Sequence, residues 1–299
     1  MALRGKTCRQ SKAKGERRKE MKKLLVLLLG LALLFAAACG APEEAAEEST
    51  EPAEEQAAEE VKEPVTIMIA AAASLETAFK DTLIPMFQEQ YDYITVEGTY
   101  GSSGDLQTQI ESGLDAQVFM SAANKQMNAL ADEGLVNKDD IVQLLVNKVV
   151  LIAGKDYAGP VTGFENINEA ATIALGDPAS VPVGQYAQEI FENLGLWEEL
   201  SGSDKVSWGE NVTQVLSWVA EGSAEAGVVY ATDAAKADFA DKVTVLADSP
   251  EGALQTPVIY PVAALAAAAD NEAAQLFVEF LQSDEAIKVF ESYGFSSNL

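Results

Sequence analysis

The chain has no histidine, and its only arginines are Arg4, Arg9, Arg17 and Arg18, all within the first 18 residues. Without histidine, Ser-His-Asp and Cys-His nucleophilic sites are impossible, as are zinc sites with imidazole ligands. Beyond residue 18 no guanidinium group is present to pair with an anion in a bidentate way. Catalysis by the common nucleophilic systems is therefore disfavoured, and an anion site would have to rely on other donors.

Cysteine is almost absent, since the chain contains only Cys8 and Cys39. Residues 21–40, MKKLLVLLLGLALLFAAACG, have two lysines, an apolar core and small residues before Cys39, which is typical of a bacterial lipoprotein signal. The apolar stretch is shorter than the roughly 20 residues that a membrane span needs. We expect residues 1–38 to be an N-terminal extension and signal peptide that is removed. Lipidated Cys39 would then anchor the mature protein to the cell membrane, outside the cytoplasm.

Positive charge is also scarce, with 20 Lys and Arg against 47 Asp and Glu and a net charge of −27. Ten of those 20 cations lie in the first 38 residues, so the remainder is more acidic still. Residues 39–63 contain ten glutamates and cannot bury a core, which predicts an acidic, disordered tether. Nucleic acid is excluded as a partner because nothing beyond the signal could neutralise its phosphates.

From residue 64 onward, short apolar runs alternate with amphipathic segments of helix length, which is typical of an α/β protein with mostly parallel strands. Strands are predicted at 65–70, 94–100, 116–121, 148–153, 172–176, 226–230, 243–247 and 258–264. Helices are predicted at 74–90, 104–112, 124–133, 184–194, 211–221, 271–281 and 284–292.

Two of these strands, 148–153 and 258–264, are long and apolar and are placed to carry the chain between two lobes. We therefore predict a discontinuous two-lobed α/β fold with a ligand cleft at the hinge. Lobe 1 would contain residues 65–147 plus 260–299, and lobe 2 residues 148–259.

Two serine-containing turns each join a predicted strand directly to a predicted helix, in AAAASL at 70–75 and YGSSGD at 100–105. A helix start has unpaired N–H groups and a partial positive charge. A serine at this point caps the helix or gives its hydroxyl and amide to an anion. Taken singly, Ser74 and Ser103 are more often a cap and a turn residue, but together they predict an oxyanion site without a cationic side chain.

The motifs in these turns resemble those of the molybdate-binding proteins of ABC importers. The similarity covers essentially the whole folded part, and it lies in AAAASL at 70–75, YGSSGDLQTQIESG at 100–113, GDPASVPVGQYAQEIFENLGLW at 176–197, ENVTQVLSWVAEGSAEAGVVYATDA at 210–234, YPVAAL at 260–265 and FVEFLQSDEAIKVFESYGF at 277–295. This resemblance implies a periplasmic-binding-protein-like fold of type II.

In that family, hydroxyls and backbone amides hold the oxyanion between the lobes. Matched motif by motif, the resemblance implies that the ligand-binding residues are Ser74, Ser103, Val183, Val212 and Tyr230. All except Tyr230 stand at predicted helix starts, so four helix N-termini are expected to converge on the cleft. The chain departs from familiar relatives at Val183, where alanine is common, and at Thr213, where arginine is usual.

The resemblance also implies a function. We expect a monomeric lipoprotein that captures molybdate, and tungstate as well, and delivers it to an ABC permease and its ATPase without a cofactor. A fully deprotonated dianion only accepts hydrogen bonds, so neutral donors suit it and disfavour a protonated phosphate.

Two alternatives stay open. One is a solute-binding protein for another ligand, such as sulfate or a metal cation. The other is an enzyme or an anion sensor on the same fold. The signal peptide disfavours a cytoplasmic regulator, and the missing histidine disfavours an enzyme.

Overall fold

The structure is a computed structural model that describes residues 62–299. The predicted signal peptide at 1–38, the lipidation site Cys39 and the tether up to residue 61 lie outside the described residues. Within 62–299, no helix combines the length and the apolar character that a membrane span requires.

Eleven strands within residues 62–299 form two sheets. The strands are β1 (Val65–Ala72), β2 (Ile94–Gly101), β3 (Val118–Met120), β4 (Val142–Asn147), β5 (Val149–Gly154), β6 (Ile173–Gly176), β7 (Val206–Gly209), β8 (Ala226–Tyr230), β9 (Val243–Asp248), β10 (Val258–Ala264) and β11 (Ser296–Ser297). The first sheet has the order β11-β4-β10-β3-β1-β2, and the second has the order β7-β6-β8-β5-β9.

Helices pack against both sheets, and six of the seven predicted helices are confirmed with small shifts at their ends, while the one predicted at 74–90 is irregular in its first half. They are α1 (Ile84–Gln90), α2 (Ser103–Glu111), α3 (Asn124–Asp132), α4 (Pro182–Asn193), α5 (Trp197–Ser201), α6 (Val212–Ala220), α7 (Ala231–Ala234), α8 (Glu272–Leu281) and α9 (Asp284–Ser292). Short 3₁₀ segments lie at Ala73–Leu75, Lys138–Asp140, Phe164–Glu169 and Ala266–Ala268.

The prediction of mostly parallel strands is wrong, because both sheets are mixed. β1 runs parallel to β2 and β3, and β6 runs parallel to β7 and β8. In contrast, β10 is antiparallel to β3 and β4, and β5 is antiparallel to β8 and β9. β11 is likewise antiparallel to β4. β10 and β5 are the strands by which the chain enters each sheet from the other.

The chain crosses between the sheets twice, which confirms the two-lobed α/β fold. Lys148 alone separates β4 from β5, and residues 249–257 lead back from β9 to β10. β5 reads VVLIAG, and its first five residues are buried, as expected for a strand covered on both faces. The exact lobe limits, 65–147 plus 260–299 and 148–259, stay a prediction. β10 begins at Val258, two residues before the predicted segment 260–299 of lobe 1.

The helix predicted at 74–90 has a composite structure. The 3₁₀ turn Ala73–Leu75 leads through an α turn, Glu76–Ala78, and a π segment, Phe79–Leu83, into α1. Pro85 lacks an N–H group and its ring would clash with the carbonyl of Asp81, four residues earlier. The wider π segment contains Asp81, so the irregularity falls where the proline requires it.

The parallel strands of both sheets end toward the cleft between the lobes. In the first sheet, Ala72 at the end of β1 pairs with Gly101 at the end of β2. In the second sheet, Gly176 at the end of β6 pairs with Gly209 at the end of β7. The helices α2, α4 and α6 begin just after three of these strands, so the topology places several helix starts at one edge.

Candidate ligand-binding site

A small cavity lies between the two lobes and contains about 210 Å³ of empty space, its mouth included. Thirteen described residues line it, and all are small, apolar or neutral polar residues. They include the five predicted site residues Ser74, Ser103, Val183, Val212 and Tyr230. Clefts elsewhere on the described surface are larger, about 1000, 890 and 700 Å³, but contain none of the five. The structure therefore brings the five residues together, while their role in binding stays a prediction.

Ser74 lies in the 3₁₀ turn that follows β1, and it is 4% exposed. Its Oγ lies 3.0 Å from Oη of Tyr260 on β10. The residue at the N-cap position of this turn is Ala72, and the regular α conformation begins only at Glu76. The expected regular helix start at Ser74 is therefore a 3₁₀ turn, and the hydroxyl is used for a tertiary contact and not for a cap.

The two serines of GSSG have different roles. Ser102 is the N-cap of α2, and its Oγ accepts a hydrogen bond of 3.1 Å from the N–H of Asp105. Ser103 is fully buried, and its Oγ accepts a hydrogen bond of 3.0 Å from the N–H of Ala122. The Ser103 hydroxyl proton thus remains available to a ligand. The sequence pattern indicated both functions of serine but not their division between neighbours.

The second lobe contributes backbone N–H groups. Val183 is the second residue of α4, after Pro182, and Val212 is the first residue of α6. The first N–H groups of an α-helix have no acceptor inside the helix. The Asn211 side chain caps α6 by accepting from the N–H of Gln214 at 3.0 Å, which leaves the N–H of Val212 for another acceptor.

Gly184 lets α4 begin close to the second sheet. A Cβ atom at this position would lie 2.1 Å from the carbonyl oxygen of Gly176, at the end of β6. Only glycine permits this approach. The position of Val183 at the cavity thus depends on the residue that follows it.

Tyr230 ends β8 and is 1% exposed. Burial, together with the neighbouring Tyr260, Tyr186 and Asp233, raises the pKa of its hydroxyl well above the ordinary value. The hydroxyl therefore stays protonated at neutral pH and can donate. It lies 3.5 Å from the carbonyl oxygen of Ala122 on the opposite lobe. Tyr230 is also the N-cap residue of the short helix α7. It was expected to be the one site residue away from a helix start, but it too stands at one.

No charged side chain lines the cavity among the thirteen described residues. Close to Tyr230 in the chain, the fully buried Asp233 has Lys236 Nζ at 2.7 Å from its Oδ1. The pair is neutral as a whole. Within residues 62–299, no group of three or more acidic or cysteine side chains is placed to hold a metal ion.

Direct contacts join the lobes beside the cavity. The N–H of Gly104 on α2 donates to the carbonyl oxygen of Ser180 at 2.9 Å. Nε2 of Gln126 on α3 donates to Oε1 of Gln185 on α4 at 3.1 Å. The lobes are therefore closed on each other at the side where the helices begin.

The sequence motifs did not indicate every residue at this site. Ala122 holds the Ser103 hydroxyl, Tyr260 and Asn147 lie behind Ser74, and Asn211 caps α6. Asn211, the first residue of the helix predicted at 211–221, was a usable signal for the cap. The contacts of Ala122 and Tyr260 come from distant parts of the chain, so no local pattern indicates them.

A two-lobed α/β protein with a small uncharged cavity between its lobes is built to enclose a solute. Residues 67–296 match the bacterial extracellular solute-binding protein family, and the chain belongs to this family.

Three relatives within this similarity are informative. The chain is 35% identical over 237 residues to the molybdate-binding protein ModA of Haemophilus influenzae, covering 77% of this chain and 90% of that protein. It is 40% identical over 233 residues to a Bacillus subtilis (strain 168) protein whose name includes the words "ABC transporter substrate-binding lipoprotein YvgL", covering 78% and 87%. A solved substrate-binding domain from Clostridium difficile, described with the words "molybdenum ABC transporter", is 34% identical, with a TM-score of 0.58 and coverage of 77% and 98%.

Proposed function

We propose that the protein captures a tetrahedral oxyanion, molybdate or tungstate, between its lobes and delivers it to an ABC permease and its ATPase. One observation carries the proposal: Ser74, Ser103, Val183, Val212 and Tyr230 surround one cavity that no charged side chain lines. The relatives named for molybdate support the choice of ligand.

The anion is held by neutral donors from both lobes. Ser74, Ser103 and Tyr230 offer hydroxyl protons, and Val183 and Val212 offer N–H groups at helix starts. Each hydrogen bond to a charged acceptor contributes about 1.5–3 kcal/mol, and each helix N-terminus about 0.3–1 kcal/mol, or up to about 2 when partly buried. The five hydrogen bonds and two helix N-termini together contribute about 8–19 kcal/mol, which covers the roughly 8–12 kcal/mol of micromolar-to-nanomolar binding. Any excess offsets the costs of ordering and closure.

This donor set explains which anions are rejected. Molybdate and tungstate are fully deprotonated dianions that only accept hydrogen bonds. A hydrogen phosphate ion carries a proton that needs an acceptor, and a cavity of donors leaves that proton unpaired. Sulfate is the competing ligand, because it also only accepts, and the closed cavity must then separate the anions by size.

Several further properties belong to the same proposal. Lipidation of Cys39 and a tether at 39–63 would hold the domain at the outer face of the cell membrane. The lobes would move about the crossings near residues 148 and 249–257, with limits at 65–147 plus 260–299 and at 148–259. The protein would act as a monomer that binds its ligand without catalysis.

Calorimetric titration of the purified full chain tests the proposal. Molybdate and tungstate should release or absorb heat with one site per chain and micromolar or tighter affinity. Sulfate and phosphate should bind at least about 100-fold more weakly, because one misfit in size or one unpaired proton costs about 2–3 kcal/mol. Absence of binding by both molybdate and tungstate contradicts the proposal, and tight binding of sulfate alone supports the alternative ligand.

A further inference from the structure

A hydrogen-bond relay, formed by Asn147, Tyr260 and Ser74, leads from the crossing between the sheets to the cavity. Asn147, the last residue of β4, donates from Nδ2 to Oη of Tyr260 at 3.2 Å. Tyr260 Oη lies 3.0 Å from Oγ of Ser74. We propose that Asn147 and Tyr260 are positioning residues that fix the Ser74 hydroxyl as a hydrogen-bond donor toward the ligand. This inference rests on the proposed function.

The orientation of the Asn147 amide sets which group donates at each step of the relay. Its Oδ1 accepts from the N–H of Lys148 at 2.8 Å, and a carbonyl oxygen is what that N–H requires. The Nδ2 group therefore faces the other way, where it donates to Tyr260 and also to Oγ1 of Thr232 at 2.9 Å. Asn147 is 6% exposed, so its amide is held by these three partners and not by solvent.

Tyr260 accepts a hydrogen bond from Asn147 and is the next donor in the relay. Its side chain is fully buried, and burial raises the pKa of its hydroxyl well above the ordinary value, so the oxygen keeps its proton. The oxygen already accepts from Asn147. A buried hydroxyl proton without an acceptor costs about 1–3 kcal/mol. Ser74 Oγ lies at 3.0 Å and takes this proton in the proposed arrangement, whereas the Tyr230 hydroxyl, which also interacts with Tyr260, keeps its own proton.

Ser74 is biased toward donation by this contact. Since its Oγ accepts from Tyr260, its own proton is free to point into the cavity that the residue lines. Ser103 is fixed in the same sense by the N–H of Ala122. Each serine of the first lobe thus has one lone pair filled from the protein side, which favours presentation of its proton to the cavity. The hydroxyl of Tyr260 is consequently a determinant of the preference for anions without a proton.

A double-mutant cycle with molybdate tests the relay. Tyr260→Phe removes the donor to Ser74 and should lower the molybdate affinity about 10-fold, which corresponds to one weakened hydrogen bond. In a Ser74→Ala background, the same substitution should change the affinity by less than about 2-fold. Tyr260→Phe should also narrow the ratio of molybdate to phosphate affinity, because Ser74 becomes free to accept. Equal losses in both backgrounds, or an unchanged affinity ratio, overturn the relay.

Tyr100→Phe is the matched control. Its hydroxyl is also buried and has no hydrogen-bond partner among the described residues, and it does not line the cavity. This variant should keep the wild-type affinity for molybdate and for phosphate. A loss of the same size as in Tyr260→Phe would show that removing a buried tyrosine hydroxyl acts through the fold, and it would overturn the relay.

Asn147→Asp tests the same relay if Tyr260→Phe does not fold, as judged by thermal unfolding. A carboxylate accepts, so Tyr260 would donate to residue 147 and accept from Ser74, whose proton would then turn away from the cavity. Asn147→Asp should lower the molybdate affinity about 10-fold more when Ser74 is present than in the Ser74→Ala background. In that background only the repulsion by the added negative charge lowers the affinity. Equal losses overturn the relay.

The wild-type titration distinguishes a failure of the proposed function from a failure of the relay. Absence of molybdate binding by the wild type overturns the proposed function, and the relay with it. Normal wild-type binding that is unaffected by Tyr260→Phe overturns the relay alone.

Discussion

At the scale of single residues, two hydroxyls of the first lobe are arranged by partners from elsewhere in the chain. The strand–serine–helix pattern predicted Ser74 and Ser103 from the sequence, and both lie at the cavity. What the pattern could not predict is that Ser102 takes the cap. If α2 began one residue later, Ser103 would be the cap. Instead Ser102 caps α2, and the Ser103 hydroxyl accepts from the N–H of Ala122, 19 residues away.

Ser103→Ala should lower the affinity for molybdate about 10- to 100-fold, because one donor to a charged acceptor is lost. The fold should survive with a loss of about 1–3 kcal/mol, since the N–H of Ala122 loses its acceptor. Titration calorimetry and thermal unfolding measure the two effects. Ser283→Ala is the control: Ser283 caps α9 away from the cavity, so its removal should cost about 1 kcal/mol of stability without changing affinity. Wild-type affinity in Ser103→Ala would remove this residue from the site.

At the scale of elements, the eight predicted strands and six of the seven predicted helices are confirmed, and the missed ones have physical reasons. β11 contains two residues, too few for a visible alternation, and β7, VSWG, has one apolar residue before the turn-like Trp208-Gly209. β4 and β5 form one nearly continuous apolar run, in which Lys148 marks a change of sheet and not the end of an apolar segment. Where the chain changes sheet is decided by packing partners that the local sequence does not contain.

The contact between the starts of α2 and α4 gives a prediction about closure. A Cβ atom at Gly104 would lie 2.4 Å from the carbonyl oxygen of Ser180, so Gly104→Ala should hinder closure of the lobes. A clash of this kind costs about 1–3 kcal/mol, which lowers the molybdate affinity about 10-fold or more. Alanine is the better helix former, so α2 itself should not be weakened.

Calorimetry and small-angle scattering check this prediction. Scattering should show that molybdate contracts the wild-type protein more than Gly104→Ala. Gly202→Ala serves as control, because a Cβ atom there would lie 3.5 Å from its nearest neighbour, the carbonyl oxygen of Glu198. An alanine at 104 that binds and contracts like the wild type would refute a role for this glycine in closure.

At the scale of the whole molecule, the two lobes were predictable, but the direction of the crossing strands was not. Alternating strands and helices indicate the α/β class without indicating which neighbours pair or in which direction. The reversed strands β5 and β10 are the ones that enter their sheets from the other lobe. The large negative charge was visible in the composition, and it acts on the ligand as a long-range field.

That field gives a kinetic prediction. A net charge of −27 repels a dianion, so association should become several-fold faster when the ionic strength rises from 0.01 to 0.1 M. Over this range the screening length falls from about 30 to about 10 Å. Stopped-flow measurement with molybdate gives the association rate constant, and two chloride salts of equal ionic strength separate screening from effects of the cation. A rate that falls with added salt would be evidence against repulsion by the whole chain.

The second lobe offers its part of the proposed site through the N–H groups of Val183 and Val212, at the starts of α4 and α6. Every amino acid except proline carries that group, so the side chains at these two positions can drift during evolution while the ligand contact persists. An alanine scan would pass over both residues and report a site confined to the first lobe and Tyr230. Two of the five proposed contacts would thus be encoded in where helices begin, a property that neither residue identity nor side-chain deletion reveals.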